Sequence, residues 1–179
     1  MHKRYEDTPQ QMIFLRQYIP ELPKDVASLK KQLMWTKVEI LAEVAGQNIT
    51  RRMGGDRLVM NPPGTEGSDY TNGVEMKITT IRPSGMLDSR LKTRSSNRFQ
   101  TGIGGLKCKT GALIIYVYNF ISGNHDAFYL TFNEWRAHYN ASQGCMNFNY
   151  NKKKRSYGWM DIHRCSSFAA ACREAALHN

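Results

Sequence analysis

Apolar residues in the first quarter of the chain recur at helical spacing. Val26, Leu29, Leu33, Ile40 and Val44 stand three, four and seven residues apart, one stripe of a helix over roughly 25–45, with Gly46 as its stop. A shorter helix precedes it. Thr8-Pro9-Gln10-Gln11 reads as an N-cap, a first-turn proline and a glutamine reaching back, and Pro20 and Pro23 end that helix.

From residue 56 the period changes. Residues 56–60 read as a strand and Asn61-Pro62-Pro63-Gly64 as a loop. Asn72-Gly73 then separates two strand-like runs, 68–71 and 74–78, which is the strongest short hairpin signal in the chain. Residues 112–121, with Leu-Ile-Ile-Tyr-Val-Tyr at their centre, predict a strand interior to a sheet. A turn at 122–124 leads into a strand over 125–130, and Thr131-Phe132-Asn133-Glu134 is a capping box opening a helix through Tyr139. Short strands over 147–150 and 156–162 and an Ala-rich helix over 166–177 complete the reading. The pattern predicts an α/β protein of mixed α+β type, a central mixed sheet flanked by helices. It predicts a single domain over 1–179, with a helical part 8–46, a central part 56–131 and a C-terminal part 132–179.

Composition narrows the partners. The 179 residues carry 25 Lys plus Arg against 15 Asp plus Glu, a net charge of +10 that favours a polyanion. A hydrophobic fraction of 41% excludes a disordered chain. Cys108, Cys145, Cys165 and Cys172 form no CxxC pair and read as free thiols of a reducing compartment; the spacing of His163, Cys165 and Cys172 matches no common zinc site. Neither an apolar leader nor a bilayer-length apolar run is visible, so the expectation is a soluble cytoplasmic protein with no membrane partner.

The candidate chemistry lies between Glu66 and Thr80. Asp69 precedes Glu75-Met76-Lys77 by a short interval, and alternation along a strand puts Glu75 and Lys77 on one face. Two carboxylates and the carbonyl of Met76 form a hard-oxygen set suited to Mg²⁺, for which Mn²⁺ can substitute, and Lys77 stands beside it. An ideal two-residue Asn-Gly turn would pair Tyr70 with Glu75 and turn Asp69 away, so a bulge or wider loop is required to bring it round; otherwise Asp56 is the first acid.

Acid, hairpin and ExK triplet together resemble the PD-(D/E)XK nuclease superfamily, nearest to MutH-like nickases and PvuII-type restriction endonucleases. The resemblance covers about residues 35–120, with its best part from Glu66 to Thr80. It implies a restriction-endonuclease-like sheet, with Asp69 and Glu75 as metal ligands and Lys77 as the catalytic lysine. It also implies a helix glutamate in the site, Glu43 or Glu39 one turn earlier, and a lysine before the next long strand, Lys109 or Lys107. Ser68 stands where the family pattern has proline.

Downstream of the triplet, Arg82, Arg90, Lys92, Arg94, Arg98, Lys107 and Lys109 face the single acid Asp88 in a stretch rich in Ser, Thr, Asn and Gly. Such a segment is suited to wrapping duplex DNA by its phosphates, and Arg94, Asn97, Arg98 and Gln100 have side chains that read base edges. Lys152-Lys153-Lys154-Arg155 reads equally as a second basic cluster or a solvated hairpin tip; Trp35, Trp135 and Trp159 read as core or anchor residues. The resulting expectation is a Mg²⁺-dependent endonuclease of restriction type acting on double-stranded DNA as a homodimer. Its alternatives are a monomeric MutH-like nickase, a repair or junction nuclease, an RNA-processing nuclease, and, in another class, a non-catalytic basic DNA-binding protein.

Overall fold

The computed structural model describes residues 9–19, 37–62, 68–88, 103–104, 111–142 and 145–178. At its centre is a four-stranded mixed sheet built from β1 (Glu75–Ile81), β2 (Leu87–Asp88), β4 (Leu113–Asn119) and β5 (His125–Leu130). Their order across the sheet is β2-β1-β4-β5. β1 runs parallel to β4, with Glu75 beside Leu113 and Ile81 beside Asn119, while β2 and β5 close the two sides antiparallel. A second, three-stranded sheet joins β3 (Ile103–Gly104), β7 (Cys145–Met146) and β6 (Tyr139–Asn140).

Every residue of β4 is buried, as its apolar run predicts for a central strand covered on both faces. Alternation sends Ile114 and Tyr116 to one face and Leu113, Ile115 and Val117 to the other. Three helices cover the first face: α1 (Pro9–Arg16), α2 (Lys37–Thr50) and, from the C-terminal end, α4 (Phe168–Ala176). Leu15, Val38, Leu41, Val44, Met76, Ala127, Phe168 and Ala175 share this core, which thus draws on all three parts of the chain. The second face is closed by Trp135 of α3 (Phe132–Arg136), Met146, Phe148, Tyr157 and Met160. Among the described residues no helix is long and apolar enough to cross a membrane.

Several elements depart from the sequence reading, among them 147–150, expected as a strand, which follows β7 without forming one. α2 does not stop at Gly46 but runs to Thr50, because Gly46 serves packing rather than termination; a Cβ there would stand 2.5 Å from the Tyr70 hydroxyl. The first part of the expected 25–45 helix, and Thr8, fall outside the described residues. Residues 56–60 form no strand, only a bridge from Met60 to Tyr70. Ser156 to Ile162, expected as a strand, is a turn and a 3-10 helix over Gly158–His163. There the Asp161 carboxylate accepts the Tyr157 N–H at 2.9 Å and the Ser156 hydroxyl, and Gly158 takes a φ of +65°. The helix after Thr131 is shorter than expected and gives way to β6, although Glu134 does accept the Thr131 N–H at 2.7 Å as the capping box requires.

Candidate active site

The site starts from a turn. Tyr70 C=O accepts the Gly73 N–H at 3.1 Å, and Tyr70 N–H donates to Val74 C=O at 3.0 Å, with Gly73 at φ +84°. That is a three-residue loop with a glycine bulge, not the two-residue turn the Asn-Gly pair first suggests. Tyr70 therefore opposes Val74 instead of Glu75. A one-residue change of register reverses which face each side chain takes, and so Asp69 comes round to β1. Its Oδ2 accepts the Met76 N–H at 2.8 Å. The turn is held from outside as well: Asn72 Nδ2 donates to Ala175 C=O at 3.1 Å, and Gly111 N–H to Gly73 C=O at 3.0 Å.

β1 presents an open edge here. β2 pairs only with Thr80 and Ile81, and among the described residues no strand pairs with the outer side of Glu75–Met76–Lys77. Glu75 N–H bonds toward β4, to Ala112 C=O at 2.9 Å, so the next residue's N–H and C=O point the other way. Met76 thus offers its carbonyl to the same edge at which Asp69 takes its N–H, while its side chain enters the helical core.

Glu75 and Lys77 share the opposite face, as alternation predicts, and form an ion pair with Nζ 2.5 Å from Oε1. Both are buried, and Glu75 Oε2 has no hydrogen-bond partner among the described residues. A buried carboxylate oxygen left without a donor is costly, and such exceptions concentrate where function needs them. Glu39 and Glu43 approach from α2. Burial first, then the charges of Asp69, Glu39 and Glu75, hold the Glu43 carboxyl well above the usual carboxylate range, against the opposing pull of Lys77. Burial and the Glu75 charge likewise push Asp69 up to about 7, although Lys77 and the Met76 N–H act to lower it. Burial works to lower the Lys77 pKa, but Glu75, Glu39 and Asp69 outweigh it and keep the side chain an ammonium.

One clasp joins the two acid-bearing segments. Tyr70, fully buried, donates its hydroxyl to the Glu43 carbonyl at 2.8 Å, over the gap that Gly46 leaves. Neither residue announces this contact in the sequence, where Tyr70 reads as a strand residue and Gly46 as a helix stop.

Asp69 and the Glu75–Lys77 pair thus meet on β1 beside the Met76 carbonyl, and Glu43 and Glu39 lie within electrostatic reach of them. Asp56 does not join them; it is exposed in the turn after α2. Arg82 is exposed in the turn that follows β1. Glu66, Arg90, Lys92, Arg94, Asn97, Arg98, Gln100, Lys107 and Lys109 lie outside the described residues. Trp135 is a core residue donating to Gly111 C=O at 2.7 Å, and Trp159 stacks on His138 at 3.6 Å between ring centres. Cys145, Cys165 and Cys172 form no disulfide with one another, while Cys108 lies outside the described residues.

The donor chemistry fits a hard divalent cation: carboxylate oxygens, one of them orphaned, a strand carbonyl and no soft ligand. The donors do not stand as a closed cage. Among the described residues no three His, Cys, Asp or Glu side chains are gathered closely enough to hold an ion together. Glu75 Oε1 is engaged by Lys77 and Asp69 Oδ2 by the Met76 N–H, so a cation must compete with both. No family model matches the chain, and no curated protein is significantly similar to it.

Proposed function

We propose that the chain is a Mg²⁺-dependent DNA endonuclease of the PD-(D/E)XK type, with its centre at the open edge of β1. The observation that carries this reading is the orphaned, buried Glu75 Oε2 beside the Glu75–Lys77 pair, with Asp69 brought to the same strand by the Gly73 bulge. Asp69, Glu75 and the Met76 carbonyl would hold the ion, with Glu43 behind them. When bound, Mg²⁺ or Mn²⁺ supplies an acidified water and neutralises charge developing on a phosphoryl group. Lys77 stays protonated, so its part is that of a cation. Freed from Glu75, it donates hydrogen bonds to a phosphate oxygen and stabilises charge there, rather than abstracting a proton. Double-stranded DNA is the substrate that the +10 charge favours, in a cytoplasmic setting. A homodimer of restriction type places one centre on each strand; a monomer of this kind would nick.

A second reading, nucleic-acid binding without catalysis, is favoured by the lack of a preassembled ligand group among the described residues. Supercoiled plasmid separates the two. With Mg²⁺ or Mn²⁺ the nuclease reading predicts nicked or discrete linear products. These are lost with EDTA and in Glu75→Ala and Lys77→Ala, while DNA binding survives. Binding without cleavage on methylated and unmethylated DNA alike leaves the second reading standing.

A further inference from the structure

Two basic segments far apart in sequence meet at the end of β1 away from Glu75. Tyr150 N–H donates to Gly85 C=O at 2.9 Å in the turn that begins at Arg82. Gly85 has a φ of +92°, and a Cβ there would stand 2.7 Å from the Tyr150 oxygen and 3.9 Å from Lys152 Cε, so Lys152 lies against that turn. Asn151 and Ser156 then exchange backbone hydrogen bonds at 2.8 and 3.3 Å, and Asn151 Oδ1 accepts the Lys154 N–H at 3.0 Å. This closes a tip that projects Lys152, Lys153, Lys154 and Arg155, all exposed. None of the four is ion-paired among the described residues.

The tip is built against its own stability. Arg155 takes a φ of +50°, the one positive value at a non-glycine position among the described residues. Glycine would remove the steric cost of that conformation. Four consecutive cations held on a closed turn also repel one another unless a polyanion or counterions screen them. The flanking aromatics Tyr150 and Tyr157 are buried, so the tip offers charge with no aromatic ring to insert into a bilayer.

We infer that the 151–156 hairpin, seated on the β1–β2 turn, is a docking point for the phosphate backbone of duplex DNA. At ~3.3 Å per residue, β1 separates this point from Glu75 by about 20 Å, so it grips a phosphate other than the one at Glu75. The choice of DNA as the polyanion rests on the nuclease reading, whereas the docking point itself does not.

The test is binding of a fluorescent duplex in EDTA across a salt series. Lys152→Ala/Lys153→Ala/Lys154→Ala is compared with Arg51→Ala/Arg52→Ala/Arg57→Ala, which removes the same charge from exposed positions elsewhere. The tip variant is expected to bind about tenfold more weakly or worse and to lower the log–log salt slope by about two to three. The matched variant is expected to change affinity less than about twofold. Arg155→Gly is expected to raise the melting temperature and weaken DNA binding together. Equal losses in the two triple variants would leave only net charge and overturn the inference. So would unchanged DNA binding in the tip variant, including the case where it loses binding to phosphatidylserine vesicles instead. Because metal is chelated throughout, a tip that binds in a protein that never cuts DNA upholds the docking point and refutes the nuclease reading.

Discussion

Two buried polar clusters sit on the same sheet and are finished differently. At the β4–β5 end, Asp126 takes the Tyr157 hydroxyl on one oxygen and the Arg164 guanidinium on the other. Asn119 donates to the Tyr157 oxygen at 2.9 Å and accepts the N–H groups of Ile121 and Ser122. Asp126 and Tyr157 are therefore a structural device, every strong donor and acceptor having a partner. At the open edge of β1, by contrast, three further acids lie within electrostatic reach of the Glu75–Lys77 pair, raising one another's proton affinity, and one carboxylate oxygen has no hydrogen-bond partner among the described residues. A saturated network holds a fold; an unsaturated one of like charges is where the proposed cation would act.

Breaking the saturated cluster is expected to have the largest effect on stability. Asp126→Ala strands the Tyr157 hydroxyl and the Arg164 charge and is expected to cost about 2–4 kcal/mol in urea unfolding. At the other cluster the clasp can be tested as a pair. Gly46→Ala drives a methyl into the Tyr70 hydroxyl and is expected to cost about 1–2 kcal/mol despite alanine's better helix propensity. In a Tyr70→Phe background the obstructing oxygen is gone, so Gly46→Ala is expected to be near neutral. Equal costs in both backgrounds would show that the contact is not what holds α2 to the Asp69 turn.

The unsaturated cluster makes the smallest change run the opposite way. Asp69 titrates at about 7 in the folded, metal-free chain, above its ordinary 3.8, and Glu43 is shifted in the same direction. The folded state then holds more protons than the unfolded state. Its stabilising contribution is complete below about pH 4 and is lost as pH rises through 7. Metal-free protein is expected to be less stable at pH 8 than at pH 5, and Asp69→Asn to recover about 1 kcal/mol at pH 8 with no gain at pH 4. A variant destabilised equally at both values would mean that Asp69 is a satisfied structural carboxylate.

Much of this architecture is legible in the residues. The all-apolar run of β4, the alternation of Glu75 with Lys77 and the capping box at Glu134 are local patterns, and local patterns persist in the fold. What is not legible depends on partners remote in the chain. Gly46 reads as a helix stop because nothing nearby reveals that Tyr70 will need its space. The Asn72-Gly73 turn reads as two residues because the contacts that fix its bulge come from Ala175 and Gly111. Ser156 to Ile162 reads as a strand because the contribution of Asp161 to folding back the backbone is invisible to periodicity. The acid, ExK and helix glutamate of the candidate site are each visible, yet their convergence depends on that bulge.

If the edge of β1 is an unsatisfied acidic site made to receive a divalent cation, the ion must stabilise the fold. Thermal unfolding at pH 8 with EDTA and then with millimolar Mg²⁺ or Mn²⁺ tests this most directly, on wild type and on Glu75→Gln. A cation that binds only the folded state raises the melting temperature by mass action. Wild type is expected to gain several degrees, and Glu75→Gln, which keeps the shape but not the charge, to gain almost nothing. An unchanged wild type, or an equal rise in both proteins, would contradict the claim.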